Sequence, residues 1–196
     1  MPFIRVLGEN ERTWVRSKQI MSDIIAIANG LIECQDQART LLPITAGDPQ
    51  FDLAAVEWIA AGFEIVQSHF PEWKFAAADC TAAFGLHGAL VVGAPLVLTD
   101  ANRGSLALSL TTFELTLTGD EEFVDRGVGG NVLGSPVNAL AHLVHVLATQ
   151  PQFAPLAAGE VITTGTITDA WSVREGESWR SDYGALGLAG LELTFA

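Results

Sequence analysis

Hydrophobic and polar positions change their period several times along this chain of 196 residues, and the changes mark out elements. Ser22 stands as an N-cap, and Ile24, Ile27, Ala28, Leu31 and Ile32 recur at helical spacing. This predicts a helix over 23–41 that Pro43 stops. After an ordered loop, Leu53 to Ala61 reads as helical and Phe63 to Gln67 as a short strand. A turn around Pro71 leads into an alanine-rich segment, Phe75 to Phe84, predicted helical. The run Ala89 to Val92 and the alternation Leu106 to Leu117 predict strands, followed by a turn at Gly119-Asp120 and another strand over Glu122 to Val128. Ser135 and Pro136 supply a cap and a first-turn proline for a helix from Pro136 to Thr149, with Leu140, Leu143, Val144 and Leu147 facing inward. Strand signals return at Glu160 to Thr164, Ala170 to Val173, Ser178 to Tyr183 and Leu188 to Phe195. The pattern is that of an α+β chain rich in strands.

Composition narrows the class. With 49% hydrophobic and 17% charged residues the chain is expected to fold, and at this length it can bury about 70% of its unfolded surface without a disulfide or structural metal. Cys34 and Cys80 have neither zinc-ligand spacing nor a disulfide pattern, which favours a reducing compartment such as the cytoplasm. The net charge of -13 is uneven: residues 1–20 carry four basic and two acidic side chains, which leaves -15 for the remainder. So acidic a body repels phosphate backbones and anionic membranes, so nucleic acid is not an expected partner. Cys80 to Thr99 and Gly127 to Gly159 lack Asp, Glu, Lys and Arg, but glycines and prolines punctuate both, against a spanning helix of about 20 apolar residues. Residues 1–21 have no signal-peptide pattern and read as a leader, with Met21 as an alternative start.

Few constellations carry chemistry. His142 and His145 are one helical turn apart, yet lack a visible third ligand and read as packing or hydrogen-bonding residues. Gly127-Val128-Gly129-Gly130 lacks the order of a dinucleotide loop and reads as a turn, and Ser135 is accounted for as a cap. Glu64 stands out as an acid inside the apolar run FEIVQ. It either meets a cation or hydrogen-bond donors, a hard divalent ion being one solution, or it points to solvent from a sheet edge. Lys74, in PEWKF, has Asp79 one turn later in a predicted helix, and a surface ion pair accounts for the two without function.

The segments VEWIAAGFEIVQSHFPEWKFAAADC, GLHGALVVG, GSPVNALAHLVHVLA, LAAGEVITTGTIT and GALGLAGLELTF together resemble the C-terminal part of 2-keto-4-pentenoate hydratases. With the 4-oxalocrotonate decarboxylases, these belong to the fumarylacetoacetate hydrolase superfamily. The resemblance covers Val56 to Phe195 and implies a mixed β-rich fold with a few packed helices. It further implies a cytoplasmic, homo-oligomeric enzyme with Mg2+ or Mn2+, adding water to a 2-oxo or 2-hydroxy dienoate from aromatic-compound breakdown or acting as a related 2-oxo acid decarboxylase. By position, Glu64 matches the third metal-binding glutamate of the family, Lys74 and Asp79 match its catalytic segment, and Thr164 and Gly165 match its substrate-binding turn. Gly134, Pro136 and Asn138 match the opening of its long helix.

The family's upstream E-x-E pair and its lysine segment are not found. Glu33, in Glu33-Cys34-Gln35, is the secondary metal candidate. Because residues 24–54 resemble the family's N-terminal helix and loop, the resemblance implies an internal deletion at about Ala55 to Val56. The expected organisation is a leader over 1–21, a helix and loop over 22–55 and a core domain over 56–196, with metal retained poorly and little activity. A non-catalytic, self-associating or paralogue-binding subunit is the competing expectation.

Overall fold

A computed structural model describes residues 18–28, 53–120 and 122–196. The described residues form two antiparallel sheets. The first contains β1 (Lys18–Ala28), β2 (Val56–Gln67), β3 (His87–Val92), β4 (Leu96–Val97), β7 (Val161–Thr163) and β8 (Trp171–Val173). Its order is β3-β2-β1-β7, with β4 also on β2 and β8 also on β1. The second sheet runs β10-β9-β5-β6, from β5 (Glu114–Gly119), β6 (Glu122–Val128), β9 (Ser178–Asp182) and β10 (Glu192–Thr194). The α-helices among the described residues are α1 (Ala77–Ala82), α2 (Arg103–Thr112) and α3 (Pro136–Ala148).

The expected α+β, strand-rich class is what the chain adopts, but four elements differ from the sequence reading. Residues 23–28, expected to open a helix, lie in β1, and the remainder of that expected helix is outside the described residues. Runs such as IIAIA fit a buried helix or a strand equally by period, and here pairing along nearly all of β2, from Lys18↔Gln67 to Ala28↔Val56, decides for the strand. Likewise Leu53 to Ala61 is a 3-10 turn at Leu53–Ala55 followed by strand, because Ile59, Ala60 and Ala61 are buried from both faces of a sheet. Third, the alternation from Leu106 belongs in its first half to helix α2: Leu106 and Leu110, four apart, are buried while Leu108 is exposed. The strand begins only at Glu114. The helix expected over 75–84 shrinks to α1, whose six residues bury nothing.

Odd-numbered residues of β2 (Ile59, Ala61, Phe63, Ile65) join the main core with Leu106 and Leu110 of α2, Leu115 and Leu117 of β5, and Leu140 and Val144 of α3. Tyr183, fully buried after β9, ties the sheets together: the Gly62 backbone N–H donates to its hydroxyl at 3.4 Å. Val56, beyond the register shift at Ile27/Ala28, also belongs to that core, whereas the even-numbered residues from Ala60 to Val66 face away from it. Glu64 is among them.

Candidate functional site

Glu64 lies near the middle of the first sheet, on the face opposite the main core, with its side chain only 16% exposed. A carboxylate so far removed from water needs a donor. His87, the first residue of β3, provides one: its Nδ1 lies 2.9 Å from Glu64 Oε1. An ionised carboxylate only accepts, so in this pairing with ionised Glu64 the donor is Nδ1–H. The edge position read as one alternative is therefore not what occurs, since β1 and β3 flank Glu64 on both sides.

The strand register adds a residue the sequence reading overlooked. Met21 pairs with Glu64 and Asp23 with Gly62, so Asp23 stands one diagonal step from Glu64 on the same face of the sheet. The cue was present in the β-branched character of residues 24–27, which favours strand and would have aligned an acid on β1 with the acid on β2. Glu33 is outside the described residues. Of the N-terminal helix and following loop expected over 24–54, residues 24–28 are strand, and residues 29–52 are outside the described residues.

The segment with Thr164 and Gly165 approaches from the other side of β1. Thr163, at the end of β7, pairs with Ile25, and Trp171, at the start of β8, pairs with Ile20. The connection 164–170 therefore leaves and rejoins the sheet beside the β1 residues that pair with Ala61 to Glu64. Its course is fixed from the second sheet. Asn131 Nδ2 donates to the Ile167 carbonyl at 2.9 Å, and Asp125 Oδ2 accepts from the Asp169 N–H at 2.8 Å and Trp171 Nε1 at 3.2 Å. Gly127 makes this approach possible, since a Cβ there would sit 2.2 Å from the Ile167 carbonyl oxygen. Thr164 is half-buried and Thr168 buried, the Thr168 hydroxyl having no protein partner among the described residues.

Lys74 and Asp79 are carried by the long connection between β2 and β3. There the Lys74 ammonium is exposed and pairs with Glu72. Asp79 accepts from the Ala76 N–H at 2.9 Å and so caps α1. No described contact joins either to Glu64. Gly134, Pro136 and Asn138 shape the start of α3: Asn138 Nδ2 donates to the Leu133 carbonyl at 3.0 Å, beside the Ser135 cap. His142 is exposed and His145 half-exposed on α3. A shallow cleft of about 570 Å³ on the second sheet, lined by the cross-strand row Thr118, Arg180 and Glu192 with Asp120, Ser178 and Trp179, includes no candidate residue.

Among the described side chains no three of His, Cys, Asp and Glu converge as a ready metal cage. The donor chemistry on the Glu64 face is nonetheless that of a hard cation. Glu64 supplies one carboxylate there, Asp23 occupies the diagonal register position on β1, and Mg2+ is commonly held by one or two carboxylates with water and substrate oxygens completing its shell.

Comparison with known proteins gives the context. The family described as Fumarylacetoacetate (FAA) hydrolase C-terminal matches residues 45–190. The 2-keto-4-pentenoate hydratase 1 of Dechloromonas aromatica (strain RCB) is 30% identical over 145 residues, 74% of this chain and 51% of that protein. A 4-oxalocrotonate decarboxylase of Pseudomonas sp is 32% identical over 143 residues, 72% of this chain and 52% of the relative. Among solved structures, the 4-oxalocrotonate decarboxylase of Pseudomonas putida G7, complexed with magnesium and adipate, superposes with a TM-score of 0.73 at 21% identity, over 93% of this chain and 62% of that one. The fumarylpyruvate hydrolase of Pseudomonas aeruginosa, in complex with Mn2+ and pyruvate, gives 0.63 at 14% identity, over 94% and 68%. The chain spans about half the length of the curated relatives it matches.

Proposed function

Since the chain belongs to the fumarylacetoacetate hydrolase family, we propose that it is a hydratase-type member, adding water to a 2-oxo or 2-hydroxy dienoate with the help of Mg2+ or Mn2+. The observation that carries this reading is the pair of acids, Asp23 and Glu64, on one sheet face beside the 164–170 connection. These two residues would hold the ion. When bound, it supplies Lewis-acid stabilisation of the negative charge that develops on the oxo oxygen.

The protein's own groups do the rest. The Thr164 hydroxyl and the Gly165 backbone receive the carboxylate end of the substrate, and the anchoring of 167–171 by Asn131 and Asp125 keeps that receptor rigid. Lys74 and Asp79 move the proton that hydration requires, which demands that the β2–β3 connection close over the Glu64 face, since at rest Lys74 is engaged by Glu72. The working protein is a cytoplasmic homo-oligomer on this reading.

The resting engagement of Lys74 and Asp79 with their own loop favours a second reading, a non-catalytic subunit that associates with itself or with a longer relative. One experiment separates the two: the decay of the dienol absorbance of 2-hydroxypenta-2,4-dienoate with Mn2+, for wild type and Glu64→Gln. Turnover that the substitution abolishes supports the enzyme. A folded, oligomeric protein without turnover in either form supports the subunit.

A further inference from the structure

We infer that His87 is a positioning residue for Glu64, fixing the carboxylate in the orientation in which it takes a divalent cation; the inference rests on the metal-binding reading of Glu64 given above. Three features of the backbone converge on this one imidazole. The first is a β-bulge. Ile65 pairs with Ala89, but the next residue, Val66, pairs with His87, so Gly88 is the extra residue. Side chains alternate across a strand, and without the bulge Val66 would meet Gly88 and His87 would lie on the opposite face. The insertion moves His87 onto the face that holds Glu64.

The second feature is the absent side chain at the bulge. A Cβ on Gly88 would sit 2.8 Å from the Ile65 carbonyl oxygen, so β3 can close on β2 at that point only with glycine. The third is the turn that delivers the strand. Phe84, Gly85 and Leu86 take φ values of 54°, 66° and 64° in succession, and a left-handed conformation is unfavourable for the phenylalanine and the leucine. Leu86 is buried and anchors the turn while Phe84 is 88% exposed, so burial of Phe84 does not explain the conformation. Strain of this kind persists where surrounding structure over-determines the geometry, and what it determines here is the place of His87.

With Oε1 held at 2.9 Å by Nδ1, the Glu64 carboxylate is restrained before any ion arrives. Outer partners of this sort raise metal affinity by orienting the ligand, and removing one typically weakens binding about 10–100-fold. The test is Mn2+ affinity measured by electron paramagnetic resonance of the free ion, on wild type, His87→Ala, His87→Asn and Glu64→Gln, with thermal unfolding of each. The expected result is Mn2+ binding by wild type, loss with Glu64→Gln, a Kd about 10–100-fold weaker for His87→Ala, and substantial rescue by His87→Asn, whose amide can donate from near the Nδ1 position. Unchanged or tighter binding by His87→Ala, or no rescue by His87→Asn in a folded protein, overturns the positioning role and leaves the metal site standing. Failure of wild type to bind Mn2+ overturns both.

Discussion

Single residues divide into those whose work is local and those whose work depends on a distant partner. Ser135 belongs to the first kind: its hydroxyl accepts from the Val137 N–H at 3.3 Å at the start of α3, a role visible in the order Ser-Pro followed by an apolar period. Ser135→Ala is expected to lower stability by about 1 kcal/mol without affecting Mn2+ binding, read by chemical denaturation. Asp79 is also legible locally, as the carboxylate three residues after Ala76 that closes the first turn of α1. Glu64 is of the second kind. That an acid within FEIVQ requires a partner follows from desolvation alone, but the partner is 23 residues away and its arrival on the correct face depends on the bulge at Gly88.

At the scale of elements, misreadings occurred where one apolar pattern satisfies two periods. Leu106, Leu108 and Leu110 alternate as a strand would, yet positions 106 and 110 also share a helix face, and burial of that pair against the main core selects the helix. The 164–170 connection has no periodicity at all. It is ordered by Asp125, whose Oδ2 serves both the Asp169 N–H and Trp171 Nε1, a pairing across 44 and 46 residues. Asp125→Ala is expected to raise hydrogen exchange across 164–171 by at least about tenfold while α3 keeps its protection, because the substitution removes two local anchors, each worth about 1 kcal/mol or more, and leaves the core contacts in place.

For the whole molecule, the decisive strand is β1. It lies inside the first sheet, paired with β2 on one side and with β7 and β8 on the other, so residues 18–28 and the segment that begins at Val56 share one sheet. A chain shortened to begin at residue 29 is expected to lose cooperative thermal unfolding, since β2, β7 and β8 would each forfeit a hydrogen-bonding neighbour. Among the described residues no helix is long and apolar enough to cross a membrane, in keeping with the glycines and prolines that interrupt the two uncharged stretches. By itself the sequence determined the strand-rich class, the strands from Glu122 onward, the capped helix α3, the family resemblance and the anomaly of Glu64, because each depends on short-range pattern or on ordered motifs. Tertiary structure alone decided that residues 18–28 are a strand, that Asp23 stands beside Glu64, and that His87 rather than solvent meets the carboxylate. Those outcomes turn on register, and register is set by hydrogen bonding between segments tens of residues apart, where a slip of one residue moves a side chain to the other face.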